Sequence, residues 1–349
     1  MIDSNTKIFV GPMSKNVVDA IIEVNNNSNM KIGFIPSRRQ VEYNGGYVNN
    51  WTTKSFSEYV KLQNSSIILE RDHGGPGQGY QMDNGSKSFK VDAEHFDIIH
   101  IDPWKKYQKY KDGLRETVSN INLCHLINSS CCYEIGTEES IRYFSIEEFR
   151  RMIADIKKLL SEEVFSKIKY AVIQSGVGLS LGEQKNIGVF NSDKLKKMVK
   201  ICKEYNLYSK EHNGDYLSLI EIKNRFKLGL DAINIAPEFG QLETEVYLDI
   251  IKELEKSVFD EFYKICYKSK RWEKWIESSF DPIQEKEKII KISGHYVFAN
   301  TDFIQLKNKI SDALCIPVSK LDKKVKDKIK EHILSFKEII KRGGKFENY

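Results

Sequence analysis

Short, β-prone apolar runs alternate with helix-patterned segments eight times before residue 255, and this alternation limits the possible folds more than any other property of the chain. The runs are residues 7–10, 31–35, 67–71, 96–101, 131–135, 170–174, 207–211 and 232–236. A short apolar run bounded by turn formers reads as a strand buried on both faces, as in a parallel sheet covered by helices. After the first run, Val17, Val18, Ala20, Ile21 and Val24 recur at helical spacing from Ser14, and Asn25–Asn29 marks the stop. Helical patterns also cover 56–62, 113–127, 145–160, 192–205 and 218–226. Eight units at a mean spacing of about 30 residues predict a closed (β/α)8 TIM barrel over residues 1–255, close to the roughly 250 residues such barrels usually need. An open doubly wound sheet is the alternative. No GxGxxG follows the first strand, which argues against dinucleotide binding.

Beyond Leu254 the alternation stops, and residues 256–349 read as a mostly helical C-terminal extension ending in a helix over Leu321–Arg342. Its aromatic residues Phe259, Phe262, Tyr263, Tyr267, Trp272 and Trp275 read as core, or as an interface with the barrel or a neighbouring subunit. No apolar run approaches the roughly 18 residues needed to cross a bilayer. The start, Met1 to Lys7, lacks the basic and apolar regions of a signal peptide, so a cytoplasmic location is expected. The net charge of +5 comes from 54 basic against 49 acidic residues and gathers around Lys268–Arg271 and Lys320–Lys330. So small a surplus reads as solvated helix faces and not as a nucleic-acid surface. Six cysteines without a CxxC pair read as reduced, mostly buried thiols.

In a barrel of this type the carboxyl ends of the strands point at one site whatever their separation in sequence. Strand three ends in Asp72-His73, followed at once by the glycine-rich Gly74-Gly75-Pro76-Gly77. Asp72 is a candidate base and His73 a candidate metal ligand. Strand seven ends in Glu211-His212-Asn213-Gly214-Asp215, strand four in Asp102 and strand eight in Asn234-Ile235-Ala236, while strand five carries Glu134. His73 and His212, with Glu134 or Asp102 completing the shell, form a donor set for a divalent transition metal, Zn²⁺ being the best match to imidazole. Arg38 and Arg39 after strand two are candidates to clamp a phosphate or carboxylate, with Gln40 beside them. Ser175-Gly176 after strand six is a candidate substrate loop, and Asn213, Asp215 and Asn234 are candidate polar contacts. His295, in Ser293-Gly294-His295-Tyr296, is a candidate to enter the site from the C-terminal segment, a satisfied core histidine being the preferred reading.

Several of these segments together resemble the class II, metal-dependent fructose/tagatose-bisphosphate aldolases, and most closely their tagatose-bisphosphate aldolase accessory (Z-type) subunits. The similarity spans about residues 7–250 and rests on Gln40-Val41 with Gly45-Gly46-Tyr47, Asp72-His73 with Gly75-Pro76, Glu134-Ile135-Gly136-Thr137-Glu138, and His212 with Asp215-Tyr216. The resemblance implies that Asp72 transfers a proton, that His73 and His212 bind zinc, and that Glu134 lies beside the metal as ligand or catalytic group. The reaction implied is aldol cleavage or condensation of a sugar or sugar phosphate through an enediolate. It also implies a homo-oligomer, or a hetero-complex with an aldolase subunit. The chain departs from the catalytic enzymes after strand six, where Ser175-Gly176-Val177-Gly178 replaces a further zinc-binding histidine. It departs again after strand eight, where Glu238 would repel a phosphate dianion. The accessory subunits share the first departure and are regarded as non-catalytic. Three readings follow: a metal-dependent lyase, a non-catalytic accessory subunit, and a metal-dependent sugar epimerase or isomerase.

Overall fold

The structure, a computed structural model, describes residues 6–277 and 279–341. Eight strands form one sheet: β1 Ile8–Val10, β2 Ile32–Phe34, β3 Glu70–Gly74, β4 Ile98–Ile101, β5 Cys132–Ile135, β6 Ile168–Val172, β7 Tyr208–Glu211 and β8 Ala232–Ile235. They are all parallel, in the order β2-β1-β8-β7-β6-β5-β4-β3. The β2/β3 seam is joined by parallel bridges between Phe34 and Leu69 and between Ser37 and Asp72, which close the sheet into the expected barrel.

Around it lie α1 Lys15–Asn27, α2 Thr53–Gln63, α3 Ser86–His95, α4 Tyr110–Ile127, α5 Ile146–Leu159, the short α6 Glu162–Phe165, α7 Ser192–Glu204, α8 Leu219–Lys227 and α9 Pro237–Lys252. Their starts carry local signals. Ser14, Ser145, Asn191 and Ser218 each accept a hydrogen bond from a first-turn amide, Thr52 and Ser218 form capping boxes, and Pro237 opens α9. Helix α1 runs two residues past the first predicted stop, because the Asn25 amide accepts from Ile32 N and donates to Ile21 O, tying the last turn to β2.

Within the barrel, β3, α3 and the loop after β6 depart most from the sequence reading. β3 begins at Glu70 and not at Ile67, so Asp72 and His73 lie inside the strand. Helix α3 was not expected, since Ser88 and Asp92 on its buried face break the apolar period. Asp92 is buried because Arg71 meets it at 2.6 and 2.8 Å. A two-residue hairpin, Leu179–Ser180 with Lys185–Asn186, also fills the loop after β6.

Period-two alternation sorts the strand residues. Outward side chains such as Ile8, Ile99, Ile135 and Ile233 join the helices in the main apolar core. Inward ones form a floor of Phe9, Ile68, Ile98, Cys132, Tyr170 and Ala232. Two residues further along the same strands the interior becomes polar, with Glu70, His100, Glu134, Lys210 and Asn234 all buried. The next inward positions are Asp72, Asp102 and His212.

The C-terminal part is helical: α10 Lys256–Lys268, α11 Lys286–Val297, α12 Thr301–Ala313, α13 Val318–Ser335 and α14 Lys337–Lys341. The predicted last helix is thus two helices, and its expected final residue, Arg342, lies outside the described residues, as do 1–5 and 343–349. Helix α11 packs on α9, and α13 packs on α1 and α9. No described helix is long and apolar enough to cross a membrane. All six cysteines are free, and only Cys315 is exposed.

Candidate active site

A strand normally turns adjacent side chains to opposite faces, yet Asp72 and His73 both reach the pocket at the carboxyl end of the barrel. The β3/β4 register slips between Arg71 and Gly74, and His73 adopts a φ of 44°. This bulge re-aims the second side chain. A non-glycine residue in that region costs on the order of 1–3 kcal/mol and persists only when its surroundings hold it. Here the His73 N–H donates to His100 Nδ1 at 3.2 Å, and the ring Nδ1 lies 2.6 Å from Asp102 Oδ2.

These partners decide which nitrogens face the pocket. With Nδ1 engaged by Asp102, His73 presents Nε2. His212 Nε2 lies 2.5 Å from Glu134 Oε1, so His212 presents Nδ1, 3.4 Å from His73 Nε2. Asp72 Oδ1 lies 3.8 Å from His73 Nε2 and 3.6 Å from His212 Nδ1; it is buried and has no hydrogen-bond partner. The three atoms form a triangle with sides of 3.4, 3.6 and 3.8 Å. The edge of a tetrahedron with bonds of about 2.1 Å is about 3.4 Å, so His73 Nε2 and His212 Nδ1 fit two positions on one divalent metal, with Asp72 Oδ1 beside them. His100 belongs to the same cluster, its ligand atom within 4.8 Å of the others. Its two nitrogens, however, face the His73 N–H and the Gly136 carbonyl.

The electrostatics also favour a cation. Burial alone would lower His73, but Asp72, Asp102 and Glu138 outweigh it and lift the imidazole to about 10. Burial, aided by Glu138, Glu134 and Glu70 and opposed by His73, lifts Asp72 to about 7. Burial pushes His100 and His212 well below the usual histidine range, with the His73 charge adding to it, which leaves both rings neutral. The negative field that favours a proton on His73 equally favours a divalent cation there, which would take that proton's place.

Of the candidate residues read from the sequence, Arg39, Gln40, Asp72, His73, His212, Asn213, Asp215 and Asn234 line one pocket of about 420 Å³. The others are engaged elsewhere. Arg38 is buried against Glu42 and Asp83 and donates to Gly75 O, so it pins the loop after β2 to the glycine loop after β3. Asp102 spends its carboxylate on His73, Thr137 and the Trp104 N–H. Glu134 is shared between His212 and Lys210 Nζ, the latter at 2.9 Å, and Lys210 also pairs with Glu70. Ser175 donates to Glu211, which is held by Arg225 at 2.8 Å. Gly176 has a φ of +88° and packs so tightly on Val189 O that no side chain fits there, so it turns the chain.

Sequence reading passed over His100, Glu138 and most of the roof, and preferred a core role for His295. His100 shares its strand face with Asp102, and that period-two relation was its available signal. Glu138 Oε2 lies 3.8 Å from His73 Nε2 and accepts from Asn213. His295 and Tyr296 on α11, with Arg271, Lys274 and Trp275 from the stretch before it, roof the pocket. His295 is 1% exposed and neither ring nitrogen has a partner.

Neither a protein-family model nor a curated protein matches the sequence. Solved structures do match the fold. A probable tagatose 6 phosphate kinase from Sinorhizobium meliloti 1021 aligns over 95% of this chain and 98% of its own, with TM-score 0.71 and 14% identity. The YdjI aldolase from Escherichia coli K12 aligns over 88% and 93%, with TM-score 0.50 and 13% identity. The fructose-bisphosphate aldolase from Campylobacter jejuni aligns over 89% and 90%, with TM-score 0.50 and 13% identity. The chain shares their fold. At such identities the likeness extends to architecture alone.

Proposed function

We propose that this chain is a divalent-metal-dependent, aldolase-type lyase that makes or breaks a carbon–carbon bond in a sugar or sugar phosphate. The observation that carries the reading is the triangle of Asp72 Oδ1, His73 Nε2 and His212 Nδ1, open to the pocket at the carboxyl end of the barrel. Two of the barrels with the same fold are described as aldolases, which supports the choice of reaction. His73 and His212 would hold a divalent cation, zinc being suited to imidazole donors, and when bound it would supply polarisation of a ketose carbonyl.

The protein's own groups do the rest. In the cleavage direction Asp72 accepts the proton of the hydroxyl on the far carbon of the bond to be broken, the carbon β to the ketose carbonyl. As that oxygen becomes a carbonyl, the carbon–carbon pair passes to the other fragment as an enediolate, which later takes a proton back. Asn234 Oδ1, buried and without a partner, is an acceptor for a substrate hydroxyl. Asp102 and Glu134 fix the two imidazoles, acting from behind them.

The test combines metal analysis with chemistry. Protein purified without chelators and dialysed against Zn²⁺, Mn²⁺ or Co²⁺ should bind one equivalent, and His73→Ala and His212→Ala should lose it. The loaded protein should exchange a carbon-bound proton of dihydroxyacetone phosphate with D₂O. Absence of stoichiometric metal, or of exchange by the loaded chain, sinks the lyase reading. A second reading, an accessory subunit of a separate aldolase, draws support from the end of β6, where Ser175 is bound to Glu211 and no imidazole is offered. Activity of the chain alone would dismiss it. Sugar epimerisation or isomerisation uses the same enediolate and is separated by whether product chain length changes.

A further inference from the structure

Two ends of the pocket have opposite character. At the β8 end, Asp215 Oδ1 accepts from both Ala236 N and Glu238 N at 2.9 Å, so an internal carboxylate already occupies the amides that open α9. Glu238 stands beside it, accepting from Tyr216 N at 2.7 Å. An incoming anion would find two carboxylates there, and the free amides that bind anions at helix starts are taken.

At the opposite end, Arg39 and Lys274 line both the main pocket and a hollow that continues outward to Lys105. Arg271 lines the main pocket beside them, its guanidinium 4.6 Å from the Tyr80 ring centre and 5.9 Å from that of Tyr296. Among the described residues none of these four cations is ion-paired with a carboxylate, whereas neighbouring Arg38 is saturated by Glu42 and Asp83. Glu138 lines both hollows and Glu273 the main pocket, but among the described residues neither is ion-paired with these cations; Arg39, Arg271 and Lys274 in the main pocket, and Arg39, Lys105 and Lys274 in the outer hollow, repel each other, and the repulsion is relieved when an anion enters. Desolvation and then the charges of Arg39, Arg271 and Lys105 depress Lys274 to about 8. His295, buried with both nitrogens unpartnered, faces the same cavity from the same C-terminal part. Buried polar atoms left open on the protein side mark where a polar ligand completes the bonding.

We infer that the C-terminal segment supplies the anion subsite of the pocket: Arg271 and Lys274, joined by Arg39 and Lys105, receive a phosphate or carboxylate carried by a polyhydroxylated ligand, while His295 meets its hydroxyls. The inference rests on the sugar-binding reading above for the identity of the ligand body, and it moves the anion from the β8 loop to the roof. Arg39 keeps the role its sequence position suggested; Arg38 instead holds the loop that presents it.

The test is binding, measured by calorimetry on the full chain loaded with metal, using D-fructose 6-phosphate, D-galacturonate and neutral D-fructose as probes. The wild-type protein should bind at least one anionic probe more tightly than fructose, and the tighter of the two anions identifies the source of the charge. The double variant Arg271→Met/Lys274→Met should weaken that anion at least tenfold while leaving fructose binding unchanged. Arg39→Met, tested alone, should weaken it in the same sense and guards against misfolding of the double variant. Equal anion affinity in wild type and variants, or no anion binding by the wild type, overturns the inference. The proton-exchange assay is independent. Exchange with unaltered anion affinity in the variants removes only the subsite, and Lys274-dependent anion binding without exchange removes only the lyase reading.

Discussion

Lys210 is an ammonium in the middle of a barrel, fully buried between Glu70 and Glu134 and 3.8 Å from the Phe9 ring centre. Burial would neutralise it, but Glu134 and Glu70 outweigh that and raise it above the ordinary lysine range. Burial and the Glu134 charge meanwhile push Glu70 well above the carboxylate range. Removing one member of a buried ion pair leaves the other uncompensated and costs about 3–5 kcal/mol. Lys210→Met should therefore destabilise the protein by about that amount, read from urea unfolding. Glu134→Gln removes a partner of the same buried ammonium and also releases the His212 ring, and partners of this kind are worth about 10–100-fold in metal affinity. A competition titration with a chromophoric chelator should show a Zn²⁺ loss in that range, while an unchanged affinity would mean that Glu134 does not orient His212. At this scale His73 and His212 were legible because an ionisable residue closing an apolar run stands out. His100 was not, because inside such a run it resembles any buried histidine.

Among the elements, β3 shows how a short strand can carry two adjacent functional side chains. The bulge at His73 is held by His100 on β4 and by Asp102 directly after it, so the geometry of one strand is stored in its neighbour. Sequence reading placed the strand three residues early, since Ile67–Leu69 carry the apolar signal while Glu70–Gly74 make the ladder. Helix α3 escaped notice for a related reason: its inner face includes an aspartate that only Arg71 makes tolerable. The roof depends on another close approach. A side chain on Gly294 would meet Thr244 Oγ1 at 2.4 Å, and one on Gly240 would meet His295 Cβ at 2.6 Å, so α9 and α11 cross where both lack a Cβ. Gly294→Val should cost about 1–3 kcal/mol by overpacking and push α11 from the pocket. The checks are urea unfolding and the sugar-anion affinity, which should fall together.

Across the whole molecule, barrel and C-terminal helices meet at a buried carboxyl. Glu243 on α9 accepts from Ser14 and from Asn16 Nδ2 at 2.9 Å, and Asn16 in turn reaches Asp322 on α13 at 3.0 Å. Burial lifts Glu243 to about 7, with Ser14, Asn16 and Lys307 opposing the lift and Asp322 adding to it. The folded carboxyl thus keeps a proton that the unfolded chain releases near the ordinary glutamate value of 4.5. Its contribution is fully present below that value and is lost as pH rises towards about 7, a difference of about 3 kcal/mol at 1.36 kcal/mol per unit. Urea unfolding at pH 5 and pH 8 should show the wild type losing about 2.5 kcal/mol more than Glu243→Gln between the two. Equal losses would mean that Glu243 titrates alike in both states.

What the amino-acid order determined by itself was the (β/α)8 plan and the set of strand ends, because alternation, capping and periodicity depend on residues a few positions apart. Only the tertiary structure decided which of those polar ends remain open to the pocket. Glu134 is held by a lysine 76 residues away, and Arg38 by Asp83, 45 residues away. Whether a charged group faces ligand or protein depends on the partner brought beside it, and when chain neighbours do not supply that partner, the fold does.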